Sequence, residues 1–109
     1  MRFAMRPALR ALVLLAAATS LAGGRETPFM ADNKTAMAKM MAGMDVRPSG
    51  DVDADFVAMM VPHHQGAIDM AQAELRYGRN EQLRRLAQEI IVTQQEEIAA
   101  MRVVIGQHP

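Results

Sequence analysis

Apolar residues recur along this chain at helical spacing, and no stretch alternates as a strand would. The first periodic segment, about residues 34–42, is short and made largely of Ala and Met. Asp32-Asn33 is its N-cap candidate and Gly43 its stop. Asp45 to Gly50, with Pro48 inside, interrupts the pattern as a linker. A second helix is predicted over about residues 53–76, capped by Asp51 or Asp53, with Asp55 favouring the dipole of its first turn. At 100° per residue Phe56, Met60, His63, Ala67, Met70, Ala71 and Glu74 share a broad face, which reads as the inward one. Met59 lies at its edge. His64 falls on the opposite edge with Val57, Ile68 and Leu75, pointing to the flank. Tyr77-Gly78 is the stop, with Gly78 suited to a left-handed C′ position.

Asn80 caps a third helix of about residues 81–105, whose apolar face runs from Leu83 and Leu86 through Ala87, Ile90, Ile91, Ile98 and Met101 to Val104 and Ile105, with Gly106 at its end. Only about three residues join the two long helices, so they must be antiparallel neighbours. The expected fold class is all-α: an antiparallel helical hairpin plus a short N-terminal helix.

The 109 residues allow one domain. Arg2, Arg6 and Arg10 precede an apolar run, Ala11 to Ala18, that is too short to span a bilayer, and Ser20-Leu21-Ala22 offers small residues for cleavage. Residues 1–22 therefore read as a secretory signal, 23–35 as a flexible arm and 36–106 as the helical domain. Gly24 stands where a lipidated Cys would have to be. A periplasmic or secreted protein is expected, with no membrane association after cleavage. Without the three N-terminal arginines, nine basic residues face twelve acidic ones, a balance that argues against nucleic acid as a partner. There is no Cys, so disulfides and thiolate metal sites are both excluded. A domain this small, unaided by disulfides, is near the lower limit for a self-sufficient core. Two long helices and one short one do not fill a bundle, and a homodimer completing four helices is expected.

The chemistry concentrates in the second helix, where His63 and His64 stand among methionines. Imidazole is the commonest metal-ligating side chain, and thioether suits Cu(I). Met59 and His63 are an i,i+4 pair able to meet one ion, with Met60 beside them. Pro62 removes one amide donor and crowds the carbonyl of Ala58, so a kink is expected just before the His pair, read either as a tolerated bend or as a widened groove with a free carbonyl beside the site. On the third helix Glu97 sits among apolar positions and needs a cation, a His or a metal. The antiparallel register sets Glu97 and Met101 roughly level with Met59, Met60 and His63, so these residues form one plausible metal site. A His–Glu or Gln–Glu pair that merely fixes helix register is the competing reading. His64 serves a second ion, a partner or nothing. Met37, Met40, Met41 and Met44 recur at helical spacing in the first segment. They read either as adaptable core or as an accessible thioether cluster for Cu(I). His108 reads as a solvated terminal residue.

The run DADFVAMMVPHHQGAIDMA over 53–71, with its Met-x-Pro-His-His-Gln-Gly-Ala core, resembles the signature of a bacterial family catalogued as a domain of unknown function. So does the set Leu86-Ala87, Ile90-Ile91, Gln94, Glu97-Ile98 and Met101 downstream. The resemblance covers about residues 36–105. It implies a ferritin-like helical bundle, and CopM-like periplasmic copper-binding proteins are among the members. Relatives often mix His among the N-terminal methionines. None is present here, which favours Cu(I) over Cu(II) at that segment.

Three functions follow. The preferred one is a Cu(I) chaperone or buffer in copper homeostasis, with a possible copper-transfer partner and with affinity falling below about pH 6 as imidazole protonates. A ferritin-like redox enzyme is disfavoured, because the chain contains no Glu-x-x-His, the pattern that di-iron bundles use. No Ser or Cys motif supports hydrolysis, so the protein is not expected to be an enzyme. The third is a helical structural or interaction module that binds no metal.

Overall fold

The computed structural model describes residues 25–106. They form three α-helices in chain order, α1 (Pro28–Met44), α2 (Val52–Tyr77) and α3 (Glu81–Val104), with no strand among the described residues. The fold is all-α. The expected signal segment and His108 lie outside the described residues. No described helix is long and apolar enough to cross a membrane.

Each helix starts on a side-chain cap. Thr27 Oγ1 accepts from Met30 N at 3.2 Å and Pro28 follows at the first helical position, where its missing N–H costs nothing. α1 therefore begins well before the Asp32-Asn33 cap expected from sequence, and residues 28–35 are helix rather than arm. Thr-Pro at 27–28 is the stronger start signal. Gly43 does not end the helix, which runs on to Met44. Asp51 caps α2, accepting from Asp53 N and Ala54 N. The linker before it is pinned where Ser49 donates through N and Oγ to Asp55, the latter at 2.7 Å. Gly50 there has φ +90°, a left-handed conformation that an L side chain would strain. Asn80 caps α3. In the three-residue connection Gly78 is extended (φ −73°), not left-handed as expected. Arg84 supplies what a left-handed glycine cap would have done, donating to the carbonyls of Leu75 and Gly78.

α2 is the middle helix. It packs on α1 along one flank and on α3 along the other, while α1 and α3 do not pack on each other. Two narrow stripes of α2 are buried. Val57, His64, Ile68 and Ala71 recur at the spacing of the α3 flank, and Gly66 and Ala73 mark the α1 flank. Close approach of α1 selects small residues. A Cβ on Gly43 would stand 2.6 Å from Pro62 Cβ, and one on Gly66 would stand 2.8 Å from Met40 Sδ. Ion pairs Asp32–Arg76 at 3.2 Å and Lys39–Asp69 at 3.7 Å tie the same two helices along one edge.

This arrangement overturns the expected inward face. Phe56, Met59, His63 and Met70 are exposed, Phe56 to 56 %. A helix with neighbours on opposite flanks buries two narrow stripes and leaves the sector between them open. On α2 that open sector holds the large apolar residues.

Candidate metal-binding site

His64, not His63, is the buried histidine, at 7 % exposure. Its position on α2 points it at α3, where its Nε2 lies 2.5 Å from Glu97 Oε2. Glu97 sits at the rim, its side chain half exposed, so water solvates the carboxylate while the ring is enclosed. A carboxylate facing Nε2 places the ring proton there. In the neutral ring that leaves Nδ1 as the acceptor nitrogen. That Nδ1 is buried and has no hydrogen-bond partner. A buried polar atom without a partner is uncommon and calls for a reason.

The pairing fixes the register of the hairpin, and the register identifies the neighbours. One turn from His64 towards the start of α2 is Met60. One turn from Glu97 towards the end of α3 is Met101. In antiparallel helices these two steps lead to the same level, so Met60 and Met101 share the layer next to the His64–Glu97 pair. Both are half-buried. Met101 also lines an open cavity of about 770 Å³ with Phe56, Val57 and Val104.

The remaining expected ligands fall elsewhere. His63 is exposed on the open sector of α2, its ring centroid 5.9 Å from that of His64 and tilted by 60°. Met59 is exposed on the same sector. The inward His63 with Met59 as its i,i+4 partner is thus replaced by His64 with Met60, one residue along, because the flank and not the broad apolar stripe faces α3. Met40 packs at Gly66 on the α1 side of α2, away from His64. Met44 is half-buried, and Met37 and Met41 are exposed. These four do not join the His64 site. Pro62 faces α1 through Gly43, and its role is to pack there rather than to open a groove beside the histidines.

Among the described residues no three His, Asp or Glu side chains gather to hold a metal. Among the described residues there is thus no cluster of the kind that hard or borderline ions take. The donors that the register sets at neighbouring levels are one imidazole nitrogen and two thioethers, a soft set. The signal for the buried histidine is present in the sequence. His64 shares the spacing of Val57, Ile68 and Ala71, which is the narrower and more buried stripe.

A family model described as "Domain of unknown function (DUF305)" matches residues 7–105. No curated protein matches the chain.

Proposed function

The chain belongs to the DUF305 family, and we propose that it is a copper-binding protein, a periplasmic or secreted Cu(I) chaperone or buffer of the kind the CopM-like proteins represent. One observation carries the reading: the buried Nδ1 of His64, bare while Nε2 is held by Glu97. Metal-ligating histidines commonly donate their other N–H to a carboxylate, which fixes the tautomer and makes the ligating nitrogen a better donor. His64 has that partner in Glu97. Met60 and Met101 add the thioethers that Cu(I) prefers. Glu97 acts through the ring rather than on the ion. The ion is cargo, and the protein's part is to hold it in a soft, largely enclosed site without consuming it.

A Cu(I) competition titration under reducing conditions tests the proposal. Wild type should outcompete a weak chelator, and His64→Ala and Met101→Leu should not. A wild type that fails to compete returns the His64–Glu97 pair to the other reading, a register-fixing hydrogen bond in a helical module without metal.

A further inference from the structure

The three helices lie side by side with α2 between, so the layer has two broad faces, and these differ in character. One carries the ion pairs Asp32–Arg76 and Lys39–Asp69 together with Gln65. On the other, α2 presents Phe56, Met59 and Met70, and α3 presents Leu83, Leu86 and Ile90 beside them, all exposed. A groove of about 370 Å³ runs between Met70 and the three α3 residues, bordered also by Phe29 of α1 and by Glu74. Met30, Met37 and Met41 of α1 extend the apolar side, because they lie about half a turn around the helix from Asp32 and Lys39.

We propose that this face is covered by the same face of a second copy of the chain, giving a homodimer. Two arguments select a copy over a foreign partner. The first is the poverty of the core. Among the described residues the buried hydrophobic side chains are Val57, Ile68, Ile98 and four alanines. So small a core, without disulfides, needs its cover whenever the chain folds, and the only partner always present at that moment is another copy. The second is size. At 1.5 Å per residue α2 and α3 run about 36–39 Å, and two helices side by side are about 20 Å across, a footprint of about 700 Å². A stable interface needs about 800 Å² from each partner, and α1 contributes the remainder. A two-fold pairing brings the apolar stripe onto itself, with Glu74 at the groove and His63 beside Met59 as the polar groups α2 places on it. The proposal is independent of copper.

Sedimentation of the metal-free full chain tests it. The expected mass is twice 12.0 kDa. Leu86→Glu and Ile90→Glu should return it to that of one chain and lower its helicity. Val103→Glu, exposed on another side of α3, should leave the dimer intact. Because the chain has no Cys, a second readout survives poor folding of the acidic variants: the thiol in Leu86→Cys should label slowly and that in Val103→Cys quickly. A wild type of single-chain mass with full helicity overturns the proposal. So does a dimer indifferent to Leu86→Glu, or equal labelling at the two positions.

Discussion

His64 and Glu97, 33 residues apart in sequence, meet through one pair of atoms at 2.5 Å, and the pairing leaves the other ring nitrogen of His64 bare. If that nitrogen takes Cu(I), the carboxylate tunes affinity without touching the ion. Glu97→Gln should then weaken Cu(I) binding by about 10–100-fold, the usual effect of removing a carboxylate behind a ligating histidine. His63→Ala, on the open sector, should bind like wild type. The measurement is competition against a chromogenic Cu(I) chelator, and the reverse ranking of the two variants would refute the assignment.

Thioether chemistry and thioether packing separate cleanly. Met60→Leu and Met101→Leu conserve volume and should each change unfolding free energy by less than about 1.5 kcal/mol in urea. Each should lower Cu(I) affinity by far more than Met59→Leu, whose parent side chain is exposed and outside the layer.

Acid should release the ion. Copper and a proton compete for one imidazole lone pair, so affinity should fall as pH is lowered, by at most about tenfold per pH unit for one displaced proton. In His64→Ala any residual binding, for example at Met37 and Met41, should be flat with pH because thioethers do not titrate. A titration series on both proteins checks the slope.

The seam between α1 and α2 offers a test of packing. Gly43→Ala gains about 1 kcal/mol of helix propensity. The new methyl would meet the rigid ring of Pro62, and overpacking of this kind costs about 1–3 kcal/mol. A net loss near 1 kcal/mol in urea unfolding is expected. A more stable variant would mean that α1 is not seated on α2 as described.

The helices themselves are legible in the sequence. Asp51 and Asn80 announce their starts, Gly106 closes the last, and the short connection dictates the hairpin. α1 starts early because Thr27-Pro28 outranks Asp32-Asn33 as a cap. The orientation of α2 is the harder part. Its most apolar stripe is outermost, and its buried stripes are built from Gly, Ala, Val, Ile and one His. Hydrophobic periodicity finds where the large residues are. It does not show which small residues let a neighbouring backbone approach, and for a middle helix that approach decides the inward direction. The pairing of a histidine with Glu97 follows from the antiparallel register, but the choice between His63 and His64 rests on a rotation of 100°, which the flanking helices set.

Because α1 packs its backbone on α2 and not on α3, reaching the α3 side only where Phe29 borders the groove, its attachment is separable from the hairpin. Its opening breaks two surface ion pairs and a seam in which Ala36 is the one buried residue of the helix. The hairpin keeps Ile68, Ile98 and the His64–Glu97 pair. In amide exchange the protein should resolve into two cooperative units, with α1 the less protected. The methionines of α1 then belong to a detachable arm, and His64 to the part of the molecule that opens last.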